Sequence, residues 1–157
     1  MLYIVATPIG NLKDITYRAV EVLKSVNYIL CEDTRTSAIL LNAYEIKKPL
    51  VSYHKFNEKA QLEKIIKDLT ENNDIALISD AGMPGISDPG SILINEVINK
   101  KLPYTVIPGP AAFVNAFVLS GFSAPFTFAG FLPEKNTDRR ELLKELKNHK
   151  CTLIFYV

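Results

Sequence analysis

The sequence predicts an α/β fold: an open, mostly parallel five-stranded sheet with flanking helices over residues 1–120, then the beginning of a second α/β domain over 121–157. Three observations carry this. Short apolar runs rich in β-branched residues alternate with stretches whose apolar residues recur at helical spacing, the pattern of a parallel sheet covered on both faces. Loops rich in Gly, Pro and Asp follow several of the runs, as they do at the ends of buried strands. At Ser120-Gly121-Phe122-Ser123-Ala124-Pro125 the composition changes to a linker, beyond which only two strands and one helix are legible. That is too little to close a core alone.

The elements follow in order. Leu2 to Ala6 is a β-branched apolar run broken by Thr7-Pro8-Ile9-Gly10-Asn11, a strand then a loop. Asp14 is placed to cap the next helix, in which Ile15, Ala19, Val22, Leu23 and Val26 share a face. Tyr28 to Cys31 is the second strand, ending at Glu32-Asp33-Thr34-Arg35, and a short helix runs through Ile39, Leu40 and Ala43. A third strand, Leu50 to His54, leads to an amphipathic helix capped by Asn57, with Leu62, Ile65, Ile66 and Leu69 inward. Ile75 to Ser79 is the fourth strand, and Asp80 to Gly90 its loop; a helix with Leu93 and Val97 inward follows. Tyr104 to Ile107 is the fifth, closed by Pro108-Gly109-Pro110. Ala111 to Leu119 is apolar almost all round, which predicts a buried helix. The remainder reads as a strand Phe126 to Phe131, a basic helix Asp138 to Asn148 and a strand from Cys151 to Val157.

At 157 residues, 48% hydrophobic and 22% charged, the chain has the composition of a folded globular protein and not of a disordered one. A formal net charge of +1 neither announces nor excludes a nucleic-acid partner. Cys31 and Cys151 lie far apart in apolar runs, as core residues and not as a disulfide or metal pair, which predicts a reducing, cytoplasmic compartment. Met1 to Ala6 has no charged flank and reads as a strand, not a signal peptide. No stretch is long enough to span a membrane, no repeat is present, and no His/Cys/Asp/Glu spacing suits a metal.

Function is expected at the strand ends. If the first, fourth and fifth strands are parallel neighbours, their loops meet at one edge of the sheet and form a cleft lined by main chain. Small residues there, Ala81, Gly82, Ala111 and Ala112, let backbone approach a flat ligand and read it with N–H and C=O groups. A G-x-G-x-x-G after the first strand is absent, since only Gly10 stands there, and no P-loop occurs, which argues against NAD and nucleoside triphosphates. Glu32, Asp33, Arg35 and Asp80 are the polar candidates for catalysis at this edge. A purely local reading of Glu32 to Arg35 is a helix start, with carboxylates near the N-terminus and Arg35 tying the loop. Asp88 is placed to cap the helix after Pro89, and His54 and His149 are isolated.

Several motifs also carry a resemblance. Thr7-Pro8-Ile9-Gly10-Asn11-Leu12 with Asp14-Ile15, Glu32-Asp33-Thr34-Arg35, Ile78 to Gly90, Ile107-Pro108-Gly109-Pro110 and Phe128-Ala129-Gly130-Phe131-Leu132-Pro133 stand in one order and spacing. On these the chain resembles the S-adenosylmethionine-dependent tetrapyrrole-methylase superfamily. Within it, the chain looks most like the bacterial group that methylates a cytidine ribose 2′-oxygen in small-subunit ribosomal RNA. The resemblance implies S-adenosylmethionine in a cleft between two domains, and a homodimer. It assigns the donor to Pro8, to Asp80, Ala81, Gly82, Pro84, Gly85 and Ile86, and to Pro108, Gly109, Ala111 and Ala112. Ala111 stands where the family usually has Ser, one hydroxyl contact fewer. Leu153-Ile154-Phe155-Tyr156 resembles a strand leading into an acidic/His/Arg motif that would lie beyond Val157, so most of the second domain is expected to be missing here.

An RNA substrate needs a positive surface, and Lys135, Arg139, Arg140, Lys144 and Lys147 supply the candidate, with Glu141 and Glu145 diluting it. A solvated helix face accounts for the same residues. Two alternatives share the fold: methylation of a tetrapyrrole or a modified protein side chain, and a donor-binding or dimer-forming fragment without activity.

Overall fold

Five strands form the expected sheet: β1 (Leu2–Val5), β2 (Tyr28–Cys31), β3 (Leu50–Ser52), β4 (Ile75–Leu77) and β5 (Tyr104–Ile107). The computed structural model describes residues Met1–Val157, which divide into two compact units, Met1–Ala111 and Ala112–Val157. The division precedes the Ser120–Pro125 linker, so the helix that starts at Ala112 groups with the second unit. In the first unit the strand order is β3-β2-β4-β1-β5, every neighbouring pair parallel. Parallel strands require crossovers, supplied by α1 (Tyr17–Ser25), α2 (Thr34–Ala43), α3 (Glu58–Thr70) and α4 (Ser91–Asn99).

Side-chain alternation divides the core in two. Leu2 and Ile4 of β1, Leu30 of β2, and Ile75 and Leu77 of β4 join Ile65, Ile66, Leu69, Leu93 and Val97 of α3 and α4 on one face. Val5, Ile29, Cys31 and Ala76 point the other way, onto Ala19 and Leu23 of α1 and Leu41 of α2. Both faces of the central strands are therefore dry, as their unbroken apolar runs require. Each fully buried aliphatic side chain contributes about 1.5–3 kcal/mol.

Two expectations about helix starts change. Thr16, not Asp14, caps α1, its Oγ1 accepting from the Ala19 amide at 3.1 Å; Asp14 closes the short 3-10 turn Leu12–Asp14 instead. Asn57 sits before α3 without capping it. Its side chain accepts from the His54 amide at 2.8 Å and donates to the Ser52 carbonyl at 3.0 Å, pairing groups left over where β3 ends. Ile39 of α2 is 64% exposed.

The second unit contains α5 (Ala112–Ser120), β6 (Phe126–Phe131), α6 (Asn136–Leu146) and β7 (Thr152–Tyr156). β6 and β7 pair in parallel, with α6 as crossover. Rings hold it together: Phe113 stacks on Phe128 at 4.6 Å, Phe117 meets Phe126 at 4.5 Å, and Tyr156 lies edge-on to Phe128 at 4.7 Å. The expected burial of α5 is not observed. Only the face bearing Phe113 and Phe117 packs on β6; Val114, Val118 and Leu119 are exposed. No helix is long and apolar enough to cross a membrane.

Candidate functional site

The loops after β1, β4 and β5 do meet at the carboxyl edge of the sheet. Thr7 and Gly82 form an isolated antiparallel bridge, N to O at 2.9 Å one way and 3.1 Å the other. The buried Thr7 hydroxyl donates to the Ser79 carbonyl at 3.0 Å, and the Ser79 hydroxyl to the Gly82 carbonyl at 3.1 Å. The bridge needs φ +84 at Gly82, a backbone conformation that glycine adopts freely. On the other side the Ala6 amide donates to the Ile107 carbonyl at 3.3 Å, and a Cβ on Gly109 would stand only 2.9 Å from that of Ala6.

The predicted donor-lining residues therefore fall on one continuous rim within the first unit: Pro8 buried, Gly82 and Pro84 buried, Ala81 exposed, Gly85, Ile86 and Ala111 half-buried, Pro108 and Gly109 exposed. Ala112 opens α5 in the second unit. In that unit Lys135, Arg140, Lys144 and Lys147 are exposed on or beside α6. Arg139 is half-buried and donates to the carbonyls of Pro133 at 2.9 Å and Glu134 at 3.0 Å, so its guanidinium ties down the loop before the helix.

The polar candidates separate into two kinds. Asp33 caps α2, accepting from the Arg35 amide at 2.8 Å, and its second oxygen accepts from Arg35 Nη2 at 2.7 Å. The hydrogen bonds from Arg35 hold the Asp33 carboxyl down at about 2. This pair has the geometry of a helix start. Asp80 is linked to it through Oδ1, which accepts from the Asp33 amide at 3.2 Å. Asp88 does not cap α4, whose N-cap is Gly90 without a side-chain bond. Burial pushes its carboxyl up to about 6, and the negative charges of Glu32 and Asp80 add to that.

Glu32, Asp80 and Asp88 thus form one acidic face, to which the sequence offered Asp88 only as a cap. Beside it, Thr7, Pro8, Leu12, Thr36, Ile39, Leu40 and Asp80 line an open cavity of about 140 Å³. Behind the rim, burial pushes the Cys31 thiol up, so it stays a neutral core group.

The Asp88 environment gives a stability prediction. The unfolded chain releases this proton near its ordinary value of 3.8, the folded one only at about 6. Between those values the native state binds more protons, so its stability falls as pH rises through the window and stays reduced above it. The full difference would be about 3 kcal/mol, which screening at this half-exposed position reduces to ~1 kcal/mol. Asp88→Asn is therefore expected to stabilise the protein by ~1 kcal/mol above pH 6, with the gain gone below pH 4. Urea midpoints across that range check it; a pH-independent gain would contradict the assignment.

Comparison with known proteins agrees with this geometry. The family model for tetrapyrrole (corrin/porphyrin) methylases matches residues 1–157. A protein of Mycoplasmopsis pulmonis named ribosomal RNA small subunit methyltransferase I is 59% identical over 145 residues, covering 92% of this chain and 65% of that protein. Proteins of the same name from Halalkalibacterium halodurans and Thermotoga maritima are 49% and 47% identical, each over 99% of this chain and over 54% and 70% of their own lengths. The chain thus spans little more than half to about two thirds of these relatives. Among solved structures, the uroporphyrin-III C-methyltransferase of Thermus thermophilus superposes with a TM-score of 0.64 over 85% of this chain and 60% of its own, at 20% identity, which shows a shared fold. The strand order, the backbone-walled rim and a family match from the first residue to the last have one explanation: the chain belongs to the tetrapyrrole methylase family.

Proposed function

We propose that this chain supplies the donor-binding part of an S-adenosylmethionine-dependent methyltransferase acting on small-subunit ribosomal RNA, with a cytidine ribose 2′-hydroxyl as acceptor. The observation that carries the reading is the rim itself, three loops closed over small side chains beside an acidic face, in a chain 47–59% identical to proteins named as small-subunit rRNA methyltransferases. The donor supplies an already activated methyl group on a sulfonium cation. The site suits such a cation: burial is the main reason that Asp88 holds its proton, and the negative charges of Glu32 and Asp80 add to it, a like-charge contribution that a bound positive group would relieve.

The chain's own work is alignment and exclusion of water. Pro8, the loop from Asp80 to Ile86, and Pro108 to Ala112 hold the donor by main chain. Asp33 and Arg35 order the start of α2, which leaves Glu32, Asp80 and Asp88 as the carboxylates with an oxygen free to receive the hydroxyl proton. Lys135, Arg140, Lys144 and Lys147 attract phosphates. Homodimerisation is part of this reading, and the uncovered Val114, Val118 and Leu119 of α5 are the apolar surface for it.

The test is transfer of labelled methyl from S-adenosylmethionine to small-subunit particles by the full-length protein, with the modified nucleotide mapped. Label on a cytidine ribose is expected. Donor binding without label in RNA, but with label in a tetrapyrrole or protein, would redirect the reading to another substrate.

A further inference from the structure

We propose that the cavity between the loop after β1 and helix α2 is the slot for the target base, and that Asp80 selects a single-ring base bearing an exocyclic amine. The inference rests on the methyltransferase reading and adds to it a substrate subsite and a specificity residue. At about 140 Å³ the cavity has the bulk of one ring with its substituents. Pro8 and Leu12 of the loop after β1, with Ile39 and Leu40 of α2, supply its apolar lining. A flipped-out base is held in this way, between apolar side chains and read at its pairing edge.

Ile39 is 64% exposed and Leu12 40% exposed, an apolar cost in free solution that a sandwiched ring would remove. Besides Thr7 and Asp80, the polar lining is the Thr36 hydroxyl, which donates as readily as it accepts and so does not tell one base edge from another. The Thr7 hydroxyl is committed to the Ser79 and Gly82 carbonyls. Asp80 uses Oδ1 for the Asp33 amide and has Oδ2 unengaged. An ionised carboxylate only accepts, so Oδ2 favours the N4 amine of cytosine and repels the O4 carbonyl of uracil at the same place. The slot shares Thr7, Pro8 and Asp80 with the rim, which puts a base held there next to the donor loops.

Two variants of the full-length protein test this on particles whose mapped target is either cytidine or uridine. Ile39→Trp fills the slot from an exposed helix position. It is expected to leave the Kd for S-adenosylmethionine within about twofold and to lower transfer at least about tenfold, through a raised KM for particles. Asp80→Asn offers an amide that both donates and accepts, and is expected to narrow the cytidine-to-uridine rate ratio by about tenfold. That ratio cancels any change in donor affinity. The slot is overturned if Ile39→Trp transfers at the parent rate, or if Asp80→Asn keeps the parent ratio. Transfer lost by Ile39→Trp together with a changed sedimentation coefficient would place a second copy of the chain over the cavity and also overturn it. No transfer by the unsubstituted protein to any particle, despite donor binding, would remove the RNA reading and the slot with it.

Discussion

Gly90→Ala is expected to destabilise the first unit by about 3 kcal/mol, the sum of two costs that fall on one methyl group. The residue has φ +134, a region that side chains rarely enter, and an added Cβ would stand 2.8 Å from Leu77 Cδ2. Leu77 is 1% exposed in the middle of the sheet, so its end has no space to swing into. Backbone strain and core overpacking each cost about 1–3 kcal/mol. Gly10 separates them, because it has φ +148 with no atom within 4 Å of its would-be Cβ. Gly10→Ala should therefore show the strain alone, and urea unfolding of the two variants side by side checks it. Equal losses would mean that the contact with Leu77 adds nothing.

If the proposed donor site is right, Gly109→Ala is expected to lower the affinity for S-adenosylmethionine at least about tenfold, since the loops it displaces are the ones proposed to hold the donor by main chain. Its Cβ would come within 2.9 Å of the Ala6 Cβ. Both atoms are attached directly to backbone, so no rotamer relieves the clash and β1 must part from the loop after β5. The shift is expected to cost about 1–2 kcal/mol of stability as well. Ala6→Gly in the same chain removes the opposing atom, at a cost of about 0.5–1 kcal/mol for glycine at the strand end. The double variant should recover donor affinity by calorimetric titration, a positive coupling between the sites. If Ala6→Gly fails to rescue, the affinity loss does not arise from this contact.

Much of the architecture was legible because its signals are local. Alternating apolar runs and helical spacing located all five strands of the sheet, and the rule that ligands sit at the carboxyl ends of parallel strands drew attention to Thr7, Gly82 and Gly109 before their contacts were visible. What escaped depends on where separate segments lie. Thr16 and Asp14 are both good capping residues by type, and only the turn at Leu12–Asp14 decides between them. Helix α5 looks internal by composition, yet composition says how apolar a helix is, not whether anything covers it. The acidic character of the rim arises between Glu32, Asp80 and Asp88, carried by the loops after two strands that are neighbours in the sheet but far apart in the chain.

The bridge between Thr7 and Gly82 has a consequence for motion. In a parallel sheet, loops at the strand ends ordinarily fluctuate one at a time. Here paired amides and carbonyls fasten the turn after β1 to the turn after β4, with the Ser79 hydroxyl also donating to the Gly82 carbonyl and the Thr7 hydroxyl to the Ser79 carbonyl. The two turns are joined into one cooperative unit that opens only when both bonds of the pair break together. A ligand that grips either turn thereby quiets the other, and the site orders itself across the sheet edge without any helix having to move.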